Sequence, residues 1–334
     1  MCYHGFLLNG FMVNFYPSSV FNFFSQAFYS FYKGIIALLG SKTSAVAQRS
    51  LSSEVKPISN ATLKTRQVTQ VSSRLPNARI AQQTLQGGMH NAQNSCYMAS
   101  SLQAVFRLEH MLQWLLSKEN DQNPFVVFLR SALKKPLGIE GREVKTLSSE
   151  KTQEIREFFY EQGWSEAGGE KSEADSVVFL DYLLKKLEVP GFVVTQKAKV
   201  PGSKPPVHFL ELSIHESEAL EGHLLRKNYR LDSKHIPDIF PIVIKRRLEA
   251  DIQCIITPEI HMPLTNQKTA VYSLQTAIIY TGRGVMDAHY YAIVQKADGS
   301  WICYNDGSVS LMTNTQARHL LASSCYICFY ARNS

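Results

Sequence analysis

The sequence has little cysteine and little charge. Six cysteines are scattered over 334 residues, which is too few for a disulfide framework and indicates a reducing compartment. Charged residues make up 19% of the chain and hydrophobic residues 45%, so a chain that is disordered throughout is excluded. We therefore expect one domain of catalytic size with an appendage.

Two further absences limit the cofactors and partners. One pair, Cys325 and Cys328, has zinc-ribbon spacing, but its run is typical of a strand, where residues three apart point to opposite faces. We therefore expect no bound metal and no other cofactor. The net charge of +7 is mild, and no basic run with interleaved aromatic residues appears beyond 245–247. This argues against nucleic-acid binding.

Residues 1–40 carry no full charge except Lys33, and phenylalanine recurs from Phe6 to Phe31. Residues 20–40 are long enough to cross a bilayer, but polar side chains interrupt the apolar run. Three interpretations stay open: a helix on or in a membrane, a helix packed on the folded body or on a partner, and a cleaved targeting segment. A secretory signal is the weakest form of the last, because no basic n-region precedes the apolar stretch.

The remaining chain divides into a linker and a folded body. Residues 41–84 are rich in Ser, Thr, Gln and Asn, which is typical of a flexible linker, with a surface loop layer as the alternative. Within residues 85–334, helical periodicity comes first and strand-like runs follow. This order indicates an α+β fold. Helices are predicted over 95–118, 150–162 and 174–187, and strands over 192–195, 207–214, 240–244, 252–256, 271–280, 289–295, 300–304 and 324–330.

A turn rich in Gly and Asn delivers Cys96 to the predicted start of the first helix. Unsatisfied backbone N–H groups and the positive end of the helix dipole favour a thiolate at that place. Cys96 is therefore a candidate nucleophile, and a small buried cysteine is the alternative interpretation.

A thiolate nucleophile needs a base, and His289 is the candidate because it begins a predicted strand after a glycine-containing segment. The next strand closes with Asn305-Asp306-Gly307. A hairpin between the two strands would hold a side-chain acceptor beside the imidazole and fix its tautomer. The alternatives are a structural strand histidine and an ordinary turn.

The segment around Cys96 resembles the Cys box of ubiquitin-specific proteases, G-L-x-N-x-G-N-[ST]-C-Y-x-N-S-x-L-Q. Residues 88–103 follow this pattern except for Met89 in place of Leu, Gln93 in place of Gly and Ala99 in place of Asn. Agreement at two separate sequence boxes identifies a family more specifically than one motif does. The residues downstream of the Cys box therefore also bear on the resemblance.

The downstream half resembles the same family. Residues 240–246 are similar to its strand that ends in Leu-Lys-Arg-Phe, and residues 272–309 are similar to its His box. The run 325–332 resembles the closing strand A-Y-x-L-F-Y-x-R. The resemblance thus covers about residues 85 to 334.

The resemblance implies a papain-like cysteine protease fold with a helical thumb, a β-rich palm and fingers. It implies a deubiquitinase, a thiol protease that binds ubiquitin and hydrolyses the bond at its C-terminus through a thioester. Cys96 would be the nucleophile, His289 the general base and Asn305 the group that orients it. Asp306 would be an adjacent assistant or substitute, and Asn91 would stabilise the oxyanion.

Several departures from the family pattern leave alternatives open. Ala288 replaces the Gly before the histidine, and Ala174 and Val178 replace a Gln and a Glu. Selectivity for another ubiquitin-like modifier, or a catalytically silent ubiquitin-binding scaffold, are the rival hypotheses. The two boxes lie only 193 residues apart (289 − 96), which predicts short or metal-free fingers.

The architecture also suggests where the protein acts. We expect a monomeric catalytic domain in a reducing cytoplasm, brought to a membrane by residues 20–40. The hydrophobic N-terminus and the compact domain suggest a divergent member of the family, such as an effector that an intracellular bacterium delivers into host cytoplasm.

Overall fold

The computed structural model describes residues 86–139, 143–165, 173–196, 205–246, 252–282 and 288–333, all within the unit Ala81–Ser334. The N-terminal segment 1–40 and the linker 41–84 lie outside the described residues, so both stay predictions. Among the described helices, none is both long and apolar enough to span a bilayer.

Helices dominate the first half of the described chain. The first of them, α1, is buried on every side, which makes it the central helix of the domain. A 3-10 turn, Lys118–Asn120, also occurs here. The helices are α1 Cys96–Phe106, α2 Glu109–Leu116, α3 Pro124–Leu137, α4 Ser149–Glu161, α5 Ser176–Lys186, α6 Leu220–Arg226 and α7 Asn314–Ser324.

The second half of the described chain is built on strands. The strands are β1 Val194–Gln196, β2 Leu210–Ile214, β3 Glu218–Ala219, β4 Tyr229–Leu231, β5 Ile239–Arg246, β6 Cys254–Ile255, β7 Glu259–Pro263, β8 Thr269–Thr281, β9 His289–Gln295, β10 Trp301–Asn305, β11 Ser308–Met312 and β12 Cys325–Arg332. Eight of them form one sheet in the order β11-β10-β9-β8-β12-β5-β2, with β7 also paired to β8. All pairs of this sheet are antiparallel except β2 with β5. Two small sheets pair β1 with β4 and β3 with β6.

The sheet separates two hydrophobic cores because side chains of a strand alternate between its faces. On one face, Ile278, Ala292 and Phe329 pack with α1 to α5. On the other face, Ile279 and Ile293 pack with α6, α7 and the small sheets. This layered α+β arrangement agrees with the predicted fold class and sets α1 directly against β9.

The helix predicted over 95–118 is in fact two helices. It breaks at Arg107 and Leu108, where Leu108 is extended with ψ 126°. Neither Gly nor Pro causes the break. The Arg107 guanidinium instead donates to the carbonyls of Gly87 and Pro136 and lies 3.8 Å from the ring centroid of Tyr304. Tertiary contacts thus override a continuous helical pattern.

The expectation for the cysteine pair is wrong. Cys325 and Cys328 lie in the same core, and the Cys328 thiol donates to the Ile242 carbonyl at 3.6 Å. The cause is a β-bulge between Cys325 and Ile327, since one extra residue shifts the alternation of side chains between faces. Burial raises the pKa of the Cys328 thiol. The described part of the chain contains no group of His, Cys, Asp or Glu that could hold a metal.

Several helices and strands of the structure were not predicted from the sequence. Helix α3 is preceded by Asn123, whose side chain accepts from the N–H groups of Phe125 and Val126, and it begins with Pro124 and ends before Gly138 at φ 65°. These are ordinary start and stop signals. Helices α6 and α7 and strands β3, β4, β7 and β11 were also not predicted.

Candidate active site

The loop before α1 holds Cys96 in a tightly bonded turn. Gln93 and Asn94 are both left-handed, with φ 50° and 62°. The Asn91 Oδ1 accepts from the Ser95 N–H at 2.9 Å and from its hydroxyl at 3.2 Å, and Ser95 Oγ in turn accepts from the N–H of Ala92 at 2.8 Å. Cys96 follows as the first residue of α1 and is 5% exposed. The expected placement of the thiol at a helix N-terminus is therefore observed.

Side chains of α4 also hold the loop before α1. Ser149 Oγ donates to the Asn91 carbonyl at 3.3 Å, and Arg156 Nη1 donates to the Ala92 carbonyl at 2.8 Å and also to the Gln93 carbonyl. Three successive carbonyls thus accept from one helix. Arg156 is fully buried.

His289 and Asn305 come together at the end of the sheet. His289 is the first residue of β9, and Asn305 is the last residue of β10. The β9–β10 register pairs Tyr304 with Ala292, so continuing it puts Asn305 on the same face as His289. The two atoms His289 Nε2 and Asn305 Oδ1 are 2.7 Å apart.

The hydrogen bond to Asn305 fixes the tautomer of the imidazole. Because Oδ1 of an amide is an acceptor only, Nε2 carries the hydrogen and Nδ1 is left to face Cys96. A hydrogen bond from the protonated imidazole to the Cys96 sulfur raises the pKa of His289 to about 9; burial opposes this shift, and Asn305 adds to it. The site therefore favours a protonated imidazole beside sulfur.

A glycine contact joins the helical and sheet halves of the site. Met89 N–H donates to the Asp306 carbonyl at 3.0 Å. A Cβ on Gly88 would lie 2.6 Å from that same carbonyl oxygen, and a Cβ on Gly307 would lie 2.4 Å from the His90 ring. Only residues without a side chain permit this approach. The turn at Asp306 itself is left-handed, with φ 50°.

Asp306 also reaches the loop through its side chain. Its carboxylate accepts a hydrogen bond from the Asn91 side chain, and burial raises its pKa while His289 and Asn91 oppose the rise. The second oxygen, Oδ1, is buried and has no partner among the described residues. Because an amide NH2 has two hydrogens, Asn91 can bond Asp306 with one and a substrate oxygen with the other.

The structure thus brings together all five residues that the sequence analysis singled out: Cys96, His289, Asn305, Asp306 and Asn91. Of the alternatives for the third residue, Asn305 makes the direct bond to His289, whereas Asp306 bonds Asn91.

Two anchors of the loop, Arg156 and Ser149, were missed. The signal for Arg156 was present in the sequence, since a charged residue lies between Ile155 and Phe159 on the apolar stripe of a predicted helix.

The structure also shows where the residues that depart from the family pattern lie. Val178 on α5 is 58% exposed, and Ala174 packs against the core before that helix. Asp175 caps α5 by accepting from the Val177 N–H at 2.7 Å and also accepts from the Tyr326 hydroxyl at 2.8 Å. Ala288 is half-buried beside His289, and residues 283–287 lie outside the described residues.

Comparison with known proteins agrees with this geometry. The family model for ubiquitin carboxyl-terminal hydrolase matches residues 87–330. The chain is similar to ubiquitin carboxyl-terminal hydrolase 25 of Arabidopsis thaliana, with 36% identity over 63 residues, 19% of this chain and 9% of that protein. It is similar to human ubiquitin carboxyl-terminal hydrolase 17-like protein 15, with 23% identity over 227 residues, 65% of this chain and 40% of that protein. The chain therefore spans two fifths or less of the length of these relatives.

Solved structures share the fold. A chain of the SAGA DUB module of Ubp8, Sgf11, Sus1 and Sgf73 bound to monoubiquitin aligns with TM-score 0.56 and 16% identity, covering 75% of this chain and 70% of that chain. An essential yeast splicing factor aligns with TM-score 0.55 and 15% identity over 75% and 70% of the two chains. From the match over most of its length, this chain belongs to the ubiquitin carboxyl-terminal hydrolase family, as a ubiquitin-specific protease type.

Proposed function

We propose that this protein is a cysteine deubiquitinase that hydrolyses peptide and isopeptide bonds at the C-terminus of ubiquitin. One observation carries the proposal: His289 hydrogen-bonds both the Cys96 thiol and the Asn305 amide. A nucleophile, a base and a group that orients the base are the parts that acyl transfer to sulfur requires. The family match names ubiquitin as the substrate class.

In the proposed reaction, the Cys96 thiolate attacks the terminal carbonyl carbon of ubiquitin while His289 holds the proton. Asn91 donates to the oxyanion that develops on the carbonyl oxygen. His289 then gives its proton to the departing amine, and the C–N bond breaks to leave a thioester on Cys96. Water, deprotonated by His289, hydrolyses the thioester and restores the thiol.

The test is the intact mass of the chain after mixing with ubiquitin that carries a thiol-reactive electrophile at its C-terminus. We expect one added ubiquitin on the wild type and none on Cys96→Ala. Cys303→Ala, which removes a half-buried thiol elsewhere, is the matched control and keeps the adduct. A folded wild-type chain without an adduct would contradict the proposal.

Selectivity for another ubiquitin-like modifier is a second candidate, and Val178 favours it. This exposed apolar side chain stands where the family has a glutamate. The same electrophile on a panel of ubiquitin-like proteins separates the two candidates, because only the preferred modifier is added rapidly.

A silent ubiquitin-binding scaffold is the third candidate function, since the same fold occurs in a splicing factor. Its signature is binding to ubiquitin without any adduct.

We further propose a monomeric catalytic domain that residues 20–40 bring to a membrane surface in a reducing cytoplasm. The apolar composition of this segment and its single charge at Lys33 support the proposal. We expect the full chain to sediment with vesicles of neutral and anionic lipid, and Ile35→Asp with Leu38→Asp to stay in solution. Equal sedimentation of both chains would contradict membrane association.

The idea of an effector in host cytoplasm rests on the same N-terminal segment. Expression of the tagged full chain in a eukaryotic cell tests it, because the wild type would be found at a membrane and the Ile35→Asp, Leu38→Asp chain would not. A wild-type chain distributed evenly through the cytoplasm would contradict this localisation.

A further inference from the structure

We infer that Arg156 is a positioning residue for the oxyanion side of the active site, where it fixes the backbone between Asn91 and Cys96. The inference rests on the proposed function and deepens it. Arg156 acts through the loop, by donating to the carbonyls of Ala92 and Gln93.

The loop needs such support because of its backbone. Gln93 has a left-handed φ of 50°, and so has the next residue, Asn94, at 62°. Asn tolerates this region, but a side chain such as that of Gln is strained there. At this position the related Cys box has a glycine. Gln93 therefore holds an unfavourable conformation that the rest of the structure must stabilise.

Arg156 is suited to this stabilisation. It is fully buried in α4 between Ile155 and Phe159, so its charge requires acceptors nearby. A guanidinium can serve two carbonyls at once, and hydrogen bonds from a charged donor are stronger than neutral ones. The Tyr160 ring also lies 5.8 Å from the guanidinium.

The two bonds set the orientation of two peptide planes. Because the N–H of a trans peptide points opposite to its C=O, the carbonyls of Ala92 and Gln93 held by Arg156 direct the N–H groups of Gln93 and Asn94 away from it. Ser149, seven residues and two turns earlier on the same face of α4, holds the carbonyl of Asn91. One helix thus aligns the backbone of the proposed oxyanion donor and the approach to Cys96.

The test compares Arg156→Lys with Arg130→Lys. Arg130 is the matched control because it also donates to two carbonyls, of Leu115 and Ser117, neither of which belongs to the site. Each chain is assayed at full length for hydrolysis of ubiquitin amide-linked to aminocoumarin, and for alkylation of Cys96 by iodoacetamide, followed by peptide mass. Alkylation displaces iodide by sulfur and develops no oxyanion.

For Arg156→Lys we expect kcat to fall roughly 10-fold to 100-fold, because small misplacements in a site have effects of this size. KM and the alkylation rate of Cys96 are expected to stay near those of the wild type. Adding Gln93→Gly to Arg156→Lys should restore much of kcat, because glycine adopts the left-handed turn without support. Arg130→Lys is expected to change melting temperature but not kcat.

Each other outcome has a distinct meaning. Equal losses of hydrolysis and alkylation in Arg156→Lys would overturn the inference in favour of general structural damage. Unchanged kcat in Arg156→Lys, or no rescue by Gln93→Gly, would overturn it while leaving the proposed function intact. A wild-type chain that is alkylated at Cys96 but releases no aminocoumarin would overturn the proposed function and the inference with it.

Discussion

The sheet half and the helical half of the active site are positioned by different kinds of contact. On the sheet side, His289 and Asn305 lie at the ends of adjacent strands, and a regular ladder of backbone hydrogen bonds sets their separation. On the helical side, Asn91 and Cys96 flank a loop with two left-handed residues, held by side chains from α4 and Asp306.

The sheet half is held by many repeated backbone hydrogen bonds, whereas the helical half is held by a few individual side-chain contacts. A ladder tolerates the loss of one side chain, because its geometry comes from many equivalent bonds. A loop held by a few side chains depends on each of them. The sheet half should therefore fail only where a catalytic group is removed, whereas the helical half should also fail where a support is removed.

The largest expected effect is at His289. We expect His289→Ala to lower kcat/KM by about 10⁴-fold, because both proton transfers are lost. Hydrolysis of ubiquitin-aminocoumarin measures kcat/KM, and a thermal melt checks that the variant is folded. His235→Ala is the control, since this side chain is 65% exposed and pairs with the nearby Asp232. A loss below tenfold would remove His289 from the reaction.

A smaller effect separates Asn305 from Asp306. Asn305→Ala should lower kcat roughly 10²-fold, because the imidazole loses its orienting partner. Asp306→Ala should lower it less, because it acts on Asn91, and Asp306→Asn, which keeps an acceptor, less still. The measurement is kcat for the three variants side by side. A larger loss in Asp306→Ala than in Asn305→Ala would reverse the assignment of the third residue.

A substitution at Gly88 tests the contact between the helical and sheet halves of the site. We expect Gly88→Ala to lower the free energy of unfolding by about 1–3 kcal/mol, because its Cβ would press on the backbone of Asp306. Gly222→Ala is the matched control: its Cβ meets nothing within 4 Å, and alanine in helix α6 should stabilise by about 0.5–1 kcal/mol. Urea unfolding measures both, and a neutral Gly88→Ala would mean that the halves are not in close contact.

The smallest effect is a dependence of stability on pH. The pKa of His289 is raised from 6.5 to about 9, so protonation stabilises the folded chain fully below pH 6.5, and this contribution is lost as pH rises through about 9. We expect the free energy of unfolding to fall over that window. The fall should be smaller in Cys96→Ala, because the thiol bond is the largest cause of the shift. Identical pH curves would contradict the bond.

The same contrast explains what the sequence predicts. Strand β9, His289–Gln295, was predicted with its observed ends, because alternation and glycine punctuation are local signals. The break in the first helix at Arg107 was not predicted, because acceptors at Gly87 and Pro136 cause it. Asn91 and Cys96 were identified by motif, yet Arg156 was missed: its place on the apolar stripe of α4 is a local signal, but the partners that reveal its role lie 63 and 64 residues away. Local patterns predict elements, and distant polar contacts complete the site.

The position of β12 has a consequence for biosynthesis. This strand, Cys325–Arg332, lies between β8 and β5 in the interior of the sheet, although it follows all the other described strands along the chain. Neither neighbour can complete its ladder before β12 arrives, and long-range pairing of this kind forms slowly. The domain therefore finishes folding only after Arg332 has left the ribosome, so a nascent chain that exposes Cys96 but not Arg332 has not yet completed the sheet that carries His289 and Asn305.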